Sequence, residues 1–208
     1  MLSAPYPIMF YVHAIAHSGS LHGLQDYYEQ VGAENFANTI NSRDHRGFTV
    51  LHKAVESNNL DVIKYLLDKG AEINAEVTGE DPCGWTALHL AAFDDFTQVI
   101  LLLISRGAKI HYKDRSPRRM TPIRVAVTRG NENSLEVLLN AGADAKEVNP
   151  MGFTLLHEAA NHGSIKMATL LLNAGADPKS RAKDFSLPYD WAQPYNDARL
   201  LKLLDPNR

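Results

Sequence analysis

Three histidines invite a chemical reading: His52, His89 and His157 each follow a threonine by three residues (Thr49, Thr86 and Thr154). An imidazole can bind a metal, carry a proton or accept a backbone hydrogen bond. A metal site needs ligands that converge on one ion. These three lie in separate, similar stretches, so the spacing favours a structural bond from each ring to the threonine and backbone of its own turn. His13 and His17 are four apart and share a helix face. With no Asp, Glu or Cys partner nearby, they too fall short of a metal set. The single cysteine, Cys83, lies in a Pro-Cys-Gly turn and would need a histidine base beside it to act as a nucleophile. The Asp94-Asp95 pair reads as a solvated acidic turn. There is no Gly-rich phosphate loop, nucleophile elbow or paired Cys-x-x-Cys set. The expectation is therefore no enzyme, no cofactor and no metal.

The elements that position these residues repeat. Gly84-Trp85-Thr86-Ala87-Leu88-His89-Leu90-Ala91-Ala92 is followed by Val99 to Ile104 and then Gly107-Ala108. Thr49-Val50-Leu51-His52-Lys53-Ala54, Thr121-Pro122-Ile123-Arg124-Val125-Ala126 and Thr154-Leu155-Leu156-His157-Glu158-Ala159 begin the same sequence of turn, short helix, longer helix and stop. From threonine to the later glycine the interval is 21 residues in each case (Thr49–Gly70, Thr86–Gly107, Thr121–Gly142, Thr154–Gly175). From glycine to the next threonine it falls from 16 to 14 to 12. A residue inserted in a helix would rotate its apolar face off its neighbour, whereas a surface connection absorbs extra length at small entropic cost. The threonine caps the first helix. Val62, Ile63, Leu66 and Leu67, or Val99, Ile100, Leu103 and Ile104, form one apolar stripe on the second. The glycine ends it.

This pattern resembles the ankyrin repeat. The resemblance implies an all-α solenoid of stacked helix pairs with β-hairpin fingers, about six repeats in a single domain over residues 1–208. The expected boundaries are a divergent N-terminal repeat at 1–43, repeats at 44–76, 81–114, 116–146 and 149–180, and a C-terminal capping repeat at 183–208. In the first, Val12 to Ala16 is a worn motif helix, and Leu24, Tyr27 and Tyr28 face inward from a second helix. In the last, Leu187-Pro188-Tyr189-Asp190-Trp191-Ala192 lies 33 residues after the Thr154 motif, with Pro194 shortening its helix and Leu200, Leu201 and Leu204 on the inner face. End repeats diverge because they meet a neighbour on one side only.

Composition fits this picture. Hydrophobic residues are 45% and charged residues 22%, enough for a packed core. The net charge of −3 argues against wholesale nucleic-acid binding. One cysteine allows no internal disulfide, which points to a reducing compartment. No apolar run reaches membrane-spanning length. Ile8 to Ala16 is apolar and ends in Ala14-Ile15-Ala16, but no Lys or Arg precedes it and Pro5 and Pro7 interrupt it. A repeat helix is favoured over a secretion signal.

By this resemblance, partner contacts fall on finger tips and the exposed side of each first helix. These are His45, Arg46, Phe48, Glu56 and Ser57; Pro82, Cys83, Trp85, Phe93 and Asp94 with Asp95; Pro117, Arg118, Arg119, Met120, Thr128 and Arg129; and Pro150, Met151, Phe153, Asn161 and His162. Phe48, Trp85, Met120 and Phe153 each precede a motif threonine. They are either an apolar contact row or rings that brace neighbouring fingers. Ala71 to Asp95 holds six acids and no Lys or Arg (Glu72, Glu76, Glu80, Asp81, Asp94, Asp95). Lys113 to Arg129 holds six bases against Asp114. The opposed charges either attract neighbouring fingers to one another or orient a partner. The expected function is a protein-interaction module or adaptor, monomeric, with a protein partner and no membrane or nucleic acid, in the cytoplasm or nucleus. Alternatives are a bacterial effector that grips host proteins in the host cytosol and an enzyme's regulatory subunit.

Overall fold

A computed structural model describes residues 8–79 and 82–207, with side chains from Tyr11 onward. Pro5 and Pro7, and Glu80 and Asp81 of the acidic run, lie outside the described residues. The helices are α1 (Ile8–His17), α2 (Leu21–Ile40), α3 (Val50–Glu56), α4 (Leu60–Asp68), α5 (Ala87–Phe93), α6 (Thr97–Ser105), α7 (Pro122–Arg129), α8 (Glu132–Asn140), α9 (Leu155–Asn161), α10 (Ile165–Asn173), α11 (Pro188–Ala192) and α12 (Ala198–Leu204). A 3₁₀ turn at Gln193–Tyr195 holds Pro194 and ends α11 early. No strand occurs among the described residues. The hairpin character of the fingers is reduced to single antiparallel bridges, Arg43 with Thr49 and Val148 with Thr154.

The chain forms two compact units, Met1–Ala91 with Gln98–Lys109, and Ala92–Thr97 with Ile110–Arg208. In the N-terminal unit α1 packs on α2 and α3, and α4 on α2 and α3. In the C-terminal unit α9 packs on α7, α10 and α11, while α10 packs on α8 and α12. First helices thus contact first helices, and second helices contact second helices, one repeat on. The stripe that drives this is buried: Val62, Ile63, Leu66, Val99, Ile100, Leu103, Leu135 and Leu138 are all 0% exposed. The stripe's last position is looser than the spacing suggests, since Leu67, Ile104, Leu139 and Leu172 are half-buried. Ser134 stands where other repeats carry Val or Met, and is also fully buried. Its hydroxyl donates to Asp95 Oδ1 at 2.7 Å, which removes the cost of burying it bare.

The motif histidines act as caps. Thr49 N–H donates to His52 Nδ1 at 3.0 Å, Thr86 N–H to His89 Nδ1 at 3.1 Å, and Thr154 N–H to His157 Nδ1 at 3.1 Å. The His52 and Arg124 N–H groups, in turn, donate to their threonine hydroxyls, as does that of His157. At His52 and His157 this is a capping box with imidazole in the place usually held by Glu or Gln. The stop glycines sit at φ of +90° to +95°, where a side chain would be strained.

In the divergent first repeat, Val12, His13, Ile15 and Ala16 are buried, as are Leu24 and Tyr27. Tyr28 is half-buried, with its ring edge-on to Phe36 at 5.2 Å. The sequence pattern missed the extension of α2 past Gly32, whose φ of 78° and ψ of 164° kink the helix. Residues 33–40 are helical where later repeats run straight into a finger, and they bury Phe36 and Ile40.

Candidate functional site

The residues before the motif threonines differ in environment. Phe48 is 3% exposed. The Arg46 guanidinium lies 5.2 Å and the Lys53 ammonium 4.4 Å from its ring centroid, and the His52 ring meets it edge-on. It fits the bracing role, since a ring so covered offers a partner almost no area. Trp85 is half-buried and stacks on His89 at 6.0 Å. Beside it the long finger closes through Val77 N–H to Trp85 O at 2.7 Å and Gly84 N–H to Val77 O at 2.8 Å. Met120 and Phe153 are half-buried. The Phe153 ring sits 4.8 Å from Trp191 and 5.7 Å from His157.

Lys53 also lies 3.0 Å from Glu56 and 3.6 Å from Asp44, and His17 Nδ1 lies 3.1 Å from Glu56. Burial pushes the Asp44 carboxyl up. N–H bonds from Phe48 and Arg46, with the Lys53 charge, outweigh it and hold the group below its usual range. Glu56 is thus engaged within its own unit, while His45 and Arg46 are exposed on the finger.

A cleft of about 680 Å³ lies within the C-terminal unit. Of the residues expected at a contact surface, it gathers Arg118, Met120, Met151, Phe153, Asn161 and His162, with Pro117, Thr128 and Pro150. Met151 is 58% exposed. His162 Nε2 lies 3.1 Å from Thr128 O, a hydrogen bond from the ring N–H that ties the two sides together. Phe93 and Arg129 pair with each other instead, guanidinium over ring at 4.2 Å. Asp95 is committed to the fold: at φ +58° it accepts from Ser134 N–H at 2.8 Å and from Asn133 at 3.0 Å. Asp94 is exposed beside it. The two acids of this turn therefore have different roles.

The cleft floor departs most from the sequence reading. Arg124 counted there as one of six bases, yet it is 1% exposed. Its Nε donates to Glu147 Oε1 at 2.7 Å, its Nη1 to Glu158, and its Nη2 to Glu147 O at 3.0 Å. Thr121 donates to the second Glu147 oxygen at 2.7 Å, and Thr128 to the second Glu158 oxygen at 2.8 Å. The guanidinium is thus an internal tie, and it adds nothing to a basic surface. A planar fork suits this role, as one imidazole could not reach both carboxylates. Trp191 and Glu158 also line the cleft and were not expected there. Both occupy the position following the motif histidine site, 33 residues apart, and that column was the available signal.

Two of the buried imidazoles, His52 and His157, are pushed toward the neutral form. Burial, aided by the Arg43 charge, pushes His52 down from 6.5 to about 3. Burial likewise lowers His157, although its Nε2 faces Ser186 O at 3.2 Å. A ring whose Nδ1 already accepts a backbone N–H has no place there for a second proton. No group of three or more His, Cys, Asp or Glu side chains among the described residues is placed to hold a metal. No helix among them is long and apolar enough to cross a membrane.

A family model described as ankyrin repeats (three copies) matches residues 12–114 and 111–182. A segment of 37 residues, 18% of the chain, is 46% identical to alpha-latrocrustotoxin-Lt1a of Latrodectus tredecimguttatus. The match spans 3% of that relative's length. Among solved structures, the chain is similar to one in the Bd0816 predatory endopeptidase from Bdellovibrio bacteriovorus in complex with immunity protein Bd3460. The TM-score is 0.78 and the identity 25%, covering 95% of this chain and 97% of that one.

Proposed function

We propose that this chain, which belongs to the ankyrin-repeat family, is an adaptor that binds a partner protein through the finger and first-helix surface of its C-terminal unit. Ankyrin repeats are protein-interaction modules, and the structural neighbour is a complex of two proteins. What carries the choice of surface is the cleft of about 680 Å³, with Met120, Phe153 and Trp191 half-buried along it and Met151 exposed at its edge. Apolar and aromatic side chains gathered in a concavity are the usual anchors of an interface.

The test is affinity capture from a lysate of the source cells, with the intact chain beside a Met120→Ala, Met151→Asp variant checked by circular dichroism. Loss of a captured protein in the folded variant is the expected result. Equal capture by both would overturn this choice of surface.

The structural neighbour favours a second reading, in which the partner is a folded enzyme that the chain restrains. That neighbour joins an endopeptidase to an immunity protein. Assaying a captured hydrolase with and without the chain separates the readings, since an adaptor leaves turnover unchanged.

A further inference from the structure

We infer that the cleft of the C-terminal unit takes a partner segment in which one apolar side chain is flanked by carboxylates. This rests on the protein-binding reading above and names the chemistry of the partner. Three features lead to it.

The first is the wall. Met120, Met151, Phe153 and Trp191 offer thioether and ring faces around one space, which suits an aromatic or long aliphatic side chain. The second is the floor. Arg124 has its Nε and both terminal nitrogens bonded, and all four oxygens of Glu147 and Glu158 already accept a hydrogen bond. A carboxylate pushed down to this level would lose its water and meet two carboxylates against one guanidinium, so the anchor is not an acid, and the thioether and ring walls suit an apolar one.

The third feature is the mouth. Arg118 and Arg119 are both exposed, and neither forms an ion pair among the described residues. Arg118 lines the cleft directly. Lys183 is exposed, and its backbone N–H donates to Met151 O at 3.1 Å, which sets it next to that rim although it does not line the cleft. The nearest acid in sequence, Asp184, is taken up by Ser186 N–H at 3.0 Å and the Ser186 hydroxyl at 2.7 Å. Rim cations left open in this way attract carboxylates and raise the rate of encounter. A basic segment would instead meet like charge before it reached the wall.

The experiment is selection of a random-peptide phage library on the immobilised full chain. The top peptide is then measured by fluorescence polarisation against the chain and an Arg118→Glu, Arg119→Asn variant. Asn is chosen because Arg119 sits at φ +53°, which Asn tolerates. The expected result is enrichment of peptides with one aromatic or aliphatic residue between acids. Their affinity should fall about tenfold or more in the variant and weaken as salt rises. A Met151→Asp variant should weaken them as well. Enrichment of basic or uncharged peptides, failure to enrich any sequence, or acidic peptides indifferent to Arg118 and Arg119 would each overturn the inference. The protein-binding reading fails separately. If a captured protein depends on Met120 and Met151 but ignores the two arginines, that reading stands and this one falls. If no protein is captured by the intact chain either, the reading itself has failed.

Discussion

Phe48 and Phe153 occupy the same place in their repeats and meet opposite fates. Each precedes the motif threonine and lies edge-on to its own histidine. The position after that histidine makes the difference. In the N-terminal unit it is Lys53, which lies across the Phe48 ring and is held there by Asp44 and Glu56. In the C-terminal unit it is Glu158, which is drawn to Arg124 and Thr128. The Phe153 ring is left to lean on Trp191 and line a cleft. One column of the repeat, lysine in one unit and glutamate in the other, decides whether an apolar ring is sealed or presented.

The largest way to break this comparison is to remove one side of it. Ending the chain before Lys183 strips α11 and α12 from α9 and α10, takes Trp191 from Phe153, and bares the helix around Leu170 to Leu172. The Phe48 environment is untouched. The expected outcome is aggregation, seen by size exclusion with light scattering. A monomer with unchanged melting would show that 183–208 is not a cap.

Next in size is Arg124→Leu. It leaves Glu147 and Glu158 facing one another without their cation, and should cost about 3–5 kcal/mol in urea unfolding. Adding Glu147→Gln and Glu158→Gln should recover much of the loss, because the uncompensated charge goes too. If the single change is neutral, the floor is not the tie described here.

The imidazoles come third. Below pH 6.5 the unfolded chain binds a proton that His52, held at about 3, refuses when folded. Its contribution is therefore fully present above about pH 6.5 and is lost as pH falls toward 3. The slope is at most about 1.4 kcal/mol per pH unit for one such group. His157 acts in the same direction. Arg124 fills the equivalent position with a guanidinium instead of an imidazole, so Arg124→His extends the contrast to a third repeat. Urea midpoints measured from pH 7.5 to 5 check the sign.

The smallest effect should come from Lys53→Ala. It uncovers Phe48, removes a cation–π contact and two ion pairs, and should cost about 1 kcal/mol. Lys53→Met, which keeps the stem but drops the charge, should cost less. Equal losses would assign the effect to the ammonium charge alone, with no part for the stem.

The helix pairs from Thr49 onward and the threonine–histidine caps are legible in the sequence, whereas the extension of α2 past Gly32 is not. Those interactions span three or four residues, and the apolar period is written in the chain. It also named most residues of the cleft, because finger positions recur at fixed offsets from Thr121 and Thr154. Which of them are exposed is set by packing between repeats. The burial of Phe48, the commitment of Asp95 to Ser134 and the conversion of Arg124 from a surface base to an internal tie all depend on partners 23 to 39 residues away in some cases, or on a side chain folding back across a ring. Charge counts along a chain carry no record of such pairing. An ion's exposure is set by the repeat packed beside it, and a local pattern does not reach that far.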